Sequence, residues 1–281
     1  LVFSGKNHQP FDGQLDFLGG LHRLSDENSK ISSFQKLNQE PLESTTDMTM
    51  DSPPGILLII DTETTGLDPQ TDQCLEVGAI LFDVLSRSVL AQQSFLLPVS
   101  SNSAEAINHI PASITRLKQP WKEGLIYLEQ LINSSEILVA HNAAFDRKWF
   151  GKSPLPEVSK QWLCTMEDIS WPASKQLKAR PSVRDLALAY EIPVWSAHRA
   201  LTDCVYLAEV FRRCDDLETL ILQGLEPRKL MRAQVSYEQR DLAKKAGFTW
   251  NDPVPGSWTR RLSQRELQKL EFPVMPVERT E

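Results

Sequence analysis

Two acidic residues stand two positions apart at the end of a short apolar run. Asp61 and Glu63 follow the β-branched segment 56–60, and residues i and i+2 of a strand point to the same face. Their carboxylates are therefore expected side by side, where they repel each other unless a proton or a cation lies between them. Paired carboxylate oxygens suit Mg²⁺ or Mn²⁺. The pattern predicts a divalent-metal site, although Asp-x-Glu is also common where a strand ends in a polar turn.

Two further segments each combine a histidine with an aspartate five residues later. Asp146 follows the apolar run 137–140 and falls in the first turns of a helix, where the helix dipole alone would also favour an acid. Asp203 lies on the apolar stripe of an amphipathic helix from about 200 to 214, where an isolated charge is costly to bury. Metal coordination would remove that cost. His198 precedes this helix, and an ordinary imidazole can deprotonate a water near neutral pH, while a structural loop histidine is the alternative.

Together these motifs resemble the DEDD superfamily of 3′→5′ exonucleases, in its histidine-containing branch. This branch includes the DNA polymerase III proofreading subunit (epsilon type), ribonuclease T and exodeoxyribonuclease X. The first motif is similar to Ile59-Ile-Asp-Thr-Glu-Thr-Thr-Gly66, the second to Val139-Ala-His-Asn-Ala-Ala-Phe-Asp146 and the third to His198-Arg-Ala-Leu-Thr-Asp203. The segment Trp162-Leu-Cys-Thr-Met166 adds to this resemblance and favours the exodeoxyribonuclease X type. The resemblance covers about residues 56–215.

The resemblance implies two-metal phosphodiester hydrolysis with two Mg²⁺ ions, for which Mn²⁺ would substitute. It implies that the metal ligands are the carboxylates of Asp61, Glu63, Asp146 and Asp203. Asp61 would bridge both ions, and Glu63 with Asp203 would complete the ion that holds the attacking water. Asp146 would support the other ion, and His198 would act as the catalytic base that takes the proton of the water.

The resemblance also implies contacts to the 3′-terminal nucleotide. Backbone groups at Thr64 and Thr65 would bind it, and Leu67 would pack against its base, which tolerates any base identity. One position departs from the family pattern, because Asn108 falls where many relatives carry a histidine. An asparagine can still donate a hydrogen bond to a phosphate or sugar. Asn108 is therefore kept as a candidate substrate contact, and His109, shifted by one residue, is the open alternative.

The order of apolar segments predicts the elements that position these residues. Strands are expected at 56–60, 75–82 and 94–99, with a hairpin turn at 83–88, and a later strand at 137–140. Helices are expected near 112–117, 121–133, from 143, 182–190 and 200–214. Strands first and alternating elements later predict an α/β fold with a mixed sheet and helices on both faces. The resemblance implies that this sheet is ribonuclease-H-like.

The chain divides into four predicted parts. Residues 1–55 are polar and read as a disordered or weakly ordered N-terminal extension. The exonuclease domain is expected at 56–220, a small basic α+β accessory module at 227–272, and a tail at 273–281. The span 227–265 carries nine basic against three acidic residues. The module could hold single strands through this charge and its interleaved aromatic residues, or it could be a packing extension whose tryptophans form a core.

Local signals in the module predict its elements. Ser236 with Gln239, and Ser263 with Glu266, read as capping boxes that start two helices. The first helix is expected to run through Ala246 and to end at Gly247. Two short strands are expected at 248–250 and 257–262.

Composition limits the function classes. A hydrophobic fraction of 41% and a charged fraction of 24% are ordinary for a soluble globular protein. No apolar run approaches the roughly 20 residues of a membrane helix, and the start lacks the pattern of a signal peptide. The four cysteines are scattered, which argues against zinc and disulfide frameworks and favours the cytoplasm. The net charge of −7 counts mildly against nucleic-acid binding. Bound metal cations would weaken this argument, because they supply local positive charge.

The sequence therefore predicts a 3′→5′ exonuclease that releases nucleoside 5′-monophosphates from single-stranded DNA. The expected partner is a single-stranded 3′ end, with DNA preferred to RNA, together with a polymerase or repair protein and no membrane. Three alternatives stay open. The first is RNA 3′-end trimming, the second is a proofreading subunit that acts with a separate polymerase, and the third is an inactive binding module on a nuclease scaffold.

Overall fold

The computed structural model describes residues 52–196 and 198–277, which all belong to one compact unit. The predicted N-terminal extension up to residue 51 and the last four residues lie outside this range. No helix within the described ranges is both long and apolar enough to cross a membrane.

A five-stranded mixed sheet forms the larger layer, in the order β3-β2-β1-β4-β5. The strands are β1 (Ile56–Thr64), β2 (Cys74–Asp83), β3 (Ser88–Leu96), β4 (Ile137–Ala140) and β5 (Trp162–Cys164). The first three strands form an antiparallel meander, whereas β4 runs parallel to β1 and β5 runs parallel to β4. This arrangement confirms the predicted mixed sheet.

Helices connect and cover the strands. They are α1 (Glu105–Asn108), α2 (Ala112–Thr115), α3 (Trp121–Ser134), α4 (Ala143–Arg147), α5 (Val183–Ala189), α6 (Ala200–Arg212) and α7 (Leu217–Gly224), with a 3₁₀ turn at Ala173–Lys175. Ser182 caps α5 through a capping box with Asp185, as the sequence predicts.

Strand β1 is buried on both faces, which explains its continuous apolar run. Leu57 and Ile59 pack in one core with residues of α6 such as Leu207. Leu58 and Ile60 point to the opposite face and belong to a second core, which includes α3. Helices on both faces therefore fix the end of β1, where the predicted acidic residues lie.

A glycine brings the helix of the third motif against the sheet. A Cβ atom at Gly78 would lie 2.3 Å from backbone atoms of Ala200 and Leu201, so only a residue without a side chain fits here. Gly78 is the register partner of Asp61. The close approach therefore brings the first turn of α6, with Asp203, next to the strand position that carries Asp61.

Some predicted bounds differ from the structure. Strand β3 begins six residues earlier than expected, because 88–93 is a largely exposed edge segment in which apolar and polar residues do not alternate. Strand β5 was not predicted as a strand, since three residues are too few to show a period. Helix α7 continues past the expected domain end at 220, and it buries Leu217, Leu220 and Ile221 in the core shared with α6.

The C-terminal module is a four-stranded antiparallel sheet in the order β7-β8-β6-β9. Its elements are β6 (Arg228–Ala233), α8 (Arg240–Lys245), β7 (Thr249–Trp250), β8 (Trp258–Ser263), α9 (Gln264–Leu267) and β9 (Val274–Pro276). The capping box of Ser263 and Glu266 is confirmed, and Gly247 adopts the positive φ of 79° expected after a helix.

Three features of the module differ from the sequence-based expectation. Only one half of the Ser236 capping box forms, in which the Ser236 backbone N donates to Gln239 Oε1 at 3.4 Å, and the helix begins later, with Gln239 as its N-cap residue. Strand β6 is not predicted from the sequence, because its three basic residues obscure the pattern of a half-buried strand. Residues 274–276 are not part of a tail, since they pair with β6 and complete the sheet.

The module is joined to the larger domain through a buried arginine. Only 6% of the Arg228 side chain is exposed, and its Nε lies 3.3 Å from Asp168 Oδ1. Its guanidinium also donates to the Asp168 carbonyl at 2.7 Å and to Glu266 of α9. Asp168 in turn accepts a hydrogen bond from the backbone of Cys164 at the end of β5. These contacts support the interpretation of the module as a packing extension.

Candidate active site

A cleft of about 520 Å³ opens where β1 ends. The sequence singled out nine candidate residues, and all of them line this cleft: Asp61, Glu63, Thr64, Thr65, Leu67, Asn108, Asp146, His198 and Asp203. The acids come from three separate elements, namely β1, α4 and α6. The alternative His109 does not line the cleft; its side chain is exposed and its backbone closes α1.

Three of these residues form the tightest group. Ligand atoms of Glu63, His198 and Asp203 all lie within 4.8 Å of one another. Glu63 and Asp203 are thus close enough to share a cation, as the resemblance implies. His198 stands beside them, so its imidazole could either take a proton or contact the ion. Asp61 and Asp146 line the same cleft outside this tight group.

Asp146 is oriented by the neighbouring strand. Its Oδ1 accepts two hydrogen bonds from Thr62, one from the backbone N at 2.9 Å and one from Oγ1 at 2.8 Å. Its Oδ2 is buried and has no hydrogen-bond partner among the described residues. A buried carboxylate oxygen without a partner is unfavourable, so this atom is free to bind a ligand of the cleft.

The carboxylates of the cleft hold protons more tightly than ordinary acids. Burial raises the pKa of Glu63 to about 8, and repulsion by Asp203 adds to this effect. Burial also raises the pKa of Asp203 to about 6, with partial compensation from His198. For Asp61, burial and then repulsion by the neighbouring acids raise the pKa well above its ordinary value. Cations or protons must therefore neutralise this group of acids.

His141, in the second motif, has a structural role. Its two ring nitrogens lie 2.9 Å from Thr165 Oγ1 and 2.9 Å from the Pro181 carbonyl. Burial lowers its pKa to about 4, so the ring is neutral at physiological pH. With both nitrogens occupied, His141 fixes the start of α4 and is not available as a second base.

A buried acid that sequence reasoning missed lies directly across from Glu63. Glu76 is the register partner of Glu63 on β2 and is 2% exposed. Its carboxylate accepts hydrogen bonds from Arg199 Nη2 at 2.8 Å and from the backbone N of Ala200 at 3.1 Å. It thus anchors the start of α6. The apolar sequence around Glu76 gave the only signal, because an acid inside a buried strand needs a partner.

Two of the predicted substrate contacts also form hydrogen bonds within the protein. Asn108 is 1% exposed, and its amide donates to the Thr64 carbonyl at 3.1 Å and accepts from Asn102 at 2.9 Å. Its side chain therefore holds the end of β1 while it also lines the cleft. The N–H of Thr65 donates to the Gln73 carbonyl at 2.9 Å, so this group is not free to bind a nucleotide.

Leu67 projects from the rim of the cleft. Its side chain is 76% exposed, while its carbonyl accepts a hydrogen bond from Lys148. The ammonium of Lys148 also lies 4.6 Å from the ring centroid of Phe145, which lines the cleft. The backbone is thus tied to the segment after α4, and an exposed apolar side chain is left over the cleft. This geometry fits a contact to a base.

Comparisons with known families match both parts of the chain. Residues 58–211 match the RNase T family, described as "Exonuclease". Residues 229–277 match a family described as a domain of unknown function. The first match covers the five-stranded sheet up to α6, and the second covers the small sheet.

Named proteins are similar to the same part of the chain. Exodeoxyribonuclease 10 of Escherichia coli (strain K12) is 35% identical over 160 residues, which are 54% of this chain and 66% of that protein. The chain thus spans just under two thirds of that relative. DNA polymerase III subunit epsilon of Treponema pallidum (strain Nichols) is 31% identical over 161 residues, with 54% and 72% covered.

A solved structure is distantly similar. It is the crystal structure of E. coli Exonuclease I in complex with a dT13 oligonucleotide, which is 16% identical with a TM-score of 0.48. The similarity covers 68% of this chain and 50% of that chain.

Proposed function

The chain belongs to the DEDDh-type exonuclease family, which hydrolyses phosphodiesters, and from this premise we propose that it removes nucleotides from the 3′ end of single-stranded DNA. The expected products are nucleoside 5′-monophosphates. The observation that carries the proposal is the convergence of four acids from three elements, and of one histidine from the loop before α6, on one cleft. An inactive binding module would need no such group of acids with raised pKa values.

The residues of the cleft fit divalent cations. Glu63 and Asp203 have ligand atoms within 4.8 Å of each other, and Asp146 Oδ2 is buried without a partner among the described residues. Hard carboxylate oxygens in this arrangement favour Mg²⁺ or Mn²⁺. We infer that Asp61, Glu63, Asp146 and Asp203 hold two Mg²⁺ ions, with Mn²⁺ as a substitute. Such ions supply charge neutralisation at the acids and at the scissile phosphate, and they activate water.

The side chains of the cleft would have separate roles in the reaction. His198 lies beside Glu63 and Asp203, and it would accept the proton of the attacking water. Asp146 would keep a fixed orientation because Thr62 holds its other oxygen. The incoming water would then attack the terminal phosphodiester in line with the leaving 3′ oxygen.

The rim of the cleft would bind the terminal nucleotide. Leu67, exposed and fixed through its backbone, would pack against the 3′-terminal base without regard to its identity. We retain Thr64 and Thr65 as neighbours of this nucleotide. Asn108 and Ser103 donate hydrogen bonds to the carbonyls of Thr64 and Thr65, respectively. These bonds would fix the backbone that forms the nucleotide subsite.

DNA is the proposed substrate because the similar E. coli protein is named an exodeoxyribonuclease. RNA remains the alternative, since only tolerance of the 2′-OH separates the two. The similarity to a polymerase III epsilon subunit motivates a second proposal, in which a separate polymerase or repair protein is a partner. The main proposal requires no such partner.

A side-by-side digestion tests this proposal. Single-stranded DNA and RNA of matched sequence, each with a 5′ label, are incubated with the protein in Mg²⁺, in Mn²⁺ or in EDTA. We expect faster shortening of DNA with either ion and no reaction in EDTA. Faster shortening of RNA would replace the DNA assignment, and equal reaction in EDTA would contradict metal dependence.

A further inference from the structure

The proposed base occupies an unusual backbone position. His198 lies in the left-handed region with φ of 60°, which residues other than glycine rarely adopt. Its side chain is exposed at the edge of the cleft. An exposed side chain on a strained backbone keeps one orientation only if the surrounding structure holds it.

On the N-terminal side, a single buried hydroxyl holds the segment. Tyr206 of α6 is 1% exposed. Its oxygen accepts hydrogen bonds from the backbone N of Trp195 at 3.0 Å and of Ser196 at 3.2 Å, and it donates to the Ser196 carbonyl at 2.8 Å. The rings of Trp195 and Tyr206 also meet edge to face at 5.1 Å. These contacts fix the backbone two residues before His198.

On the C-terminal side, a buried carboxylate holds the segment. Glu76 binds the Arg199 side chain through Nε at 3.1 Å and Nη2 at 2.8 Å. The same carboxylate accepts from the backbone N of Ala200 at 3.1 Å, so it takes the place of a side-chain cap, which Arg199 does not supply. These contacts fix the residues directly after His198.

We propose that Tyr206 and Glu76 are positioning residues that hold His198 in place from its two sides. This inference rests on the proposed function, since it concerns the base of that reaction. Tyr206 lies three residues after Asp203 on the same helix. The helix that supplies the Asp203 carboxylate to the cleft thus also restrains the loop that carries His198. The two side chains therefore keep a fixed position relative to each other. Catalysis is sensitive to displacements of about 1 Å at such groups.

The test removes the Tyr206 hydroxyl alone, with Tyr206→Phe. We expect kcat on a 5′-labelled oligonucleotide to fall at least about tenfold while KM changes less than about twofold, because the base is misplaced and the binding surface is intact. The matched control is Tyr190→Phe, which removes another buried hydroxyl, one that donates to Cys214 Sγ. The control should keep the activity of the wild type.

A double variant separates positioning from general packing. In a His198→Ala background, Tyr206→Phe should lower the residual rate less than about twofold, because the group that it positions is gone. An equal fractional loss in both backgrounds would overturn the proposal, as would wild-type activity in Tyr206→Phe. If Tyr206→Phe does not fold, Glu76→Gln takes its place in the same pair of backgrounds, with the same criteria.

Hydrogen exchange gives a readout independent of activity. Amides in peptides that contain Trp195 and His198 should exchange faster in Tyr206→Phe than in the wild type, and Tyr190→Phe should leave them unchanged. Unchanged exchange in Tyr206→Phe would overturn the positioning role even if the protein proves inactive. Absence of hydrolysis by the wild type, with faster exchange in the variant, would contradict the proposed function and leave the restraint established.

Discussion

Thr62 donates two hydrogen bonds to the same oxygen of Asp146, at 2.9 Å from its backbone and 2.8 Å from its hydroxyl. The bonds join β1 to α4 across 84 residues of chain. They leave the second oxygen of Asp146 without a partner among the described residues. One threonine thus sets the direction in which a carboxylate from another element faces the cleft.

Thr62→Val should weaken binding of divalent cations. The substitution keeps the shape of the side chain and the backbone bond but removes the hydroxyl donor. Partners of metal ligands typically contribute 10–100-fold to affinity, so we expect about tenfold weaker Mn²⁺ binding in calorimetry. Thr62→Ser restores the hydroxyl and should recover most of the affinity. Equal affinity in the valine variant would show that the backbone bond alone orients Asp146.

Asp61→Asn and Asp203→Asn should each lower the hydrolysis rate by more than about 100-fold. Both substitutions remove a charge from a crowded group of acids. The variants should therefore unfold at the same temperature as the metal-free wild type or higher. Asp215→Asn, at an exposed position outside the cleft, is the control and should keep full activity. Activity within tenfold of wild type in either cleft variant would contradict the assignment.

The metal-free protein should lose stability as the pH rises. Burial and repulsion raise the pKa of Asp203 to about 6 and that of Glu63 to about 8, whereas carboxyls of an unfolded chain titrate near 4. The folded state then binds more protons than the unfolded state between about pH 4 and pH 8. The free energy of unfolding must fall across this window.

Thermal unfolding in EDTA measures this effect. We expect a lower Tm at pH 8 than at pH 5.5, and we expect Mg²⁺ to raise the Tm more at pH 8, because cations replace the protons of the acids. Glu63→Gln should reduce the difference in Tm between pH 5.5 and pH 8. A metal-free protein equally stable at both values would show that the acids are not crowded.

Much of the catalytic sheet could be predicted from the sequence because its signals are local. The buried run of β1 and the spacing of Asp61 and Glu63 follow from strand geometry, and the Ser182 cap of α5 follows from side-chain chemistry. The first six residues of edge strand β3 and the three-residue strand β5 could not be predicted, because short or solvent-facing segments lack an apolar period. Their positions depend on pairing with distant segments.

The residues that hold the cleft in place likewise cannot be predicted from the local sequence. Glu76 reads as one acid in an apolar strand, and only the folded chain brings Arg199 to it, 123 residues later. Tyr206 reads as one member of an apolar stripe, although its hydroxyl binds a loop ten residues earlier. The sequence could thus point to the acids and the base, whereas the groups that hold them in place depend on tertiary contacts.

The nine basic residues of the span 227–265 do not all contribute to a free basic surface of the module. Arg228 and Arg260 both bind Glu266, and Arg265 binds Glu226. Glu266 and Glu226 lie just outside the span over which the charge was counted. Three of the nine basic residues therefore stabilise the fold, which weakens the case for a nucleic-acid surface.

Arg228→Ala should destabilise the protein. Its side chain is 6% exposed between Asp168 and Glu266, and loss of one partner of a buried ion pair typically costs about 3–5 kcal/mol. Denaturant unfolding should show a loss of this order. Arg232→Ala, at an exposed position of the same strand, is the matched control and should change stability by less than about 0.5 kcal/mol. Equal stability of the two variants would mean that the ion pairs of Arg228 contribute little to the stability of the fold.

The most direct test of the proposed activity compares linear and circular single-stranded DNA in Mg²⁺. Linear strands with a 5′ label should shorten one nucleotide at a time from the 3′ end and release nucleoside 5′-monophosphates, while circular strands of the same sequence should remain intact. Asp203→Asn protein, prepared in parallel, should leave both substrates unchanged. Cleavage of the circular strands by the wild type, or loss of the 5′ label as the first product, would contradict the 3′→5′ exonuclease assignment.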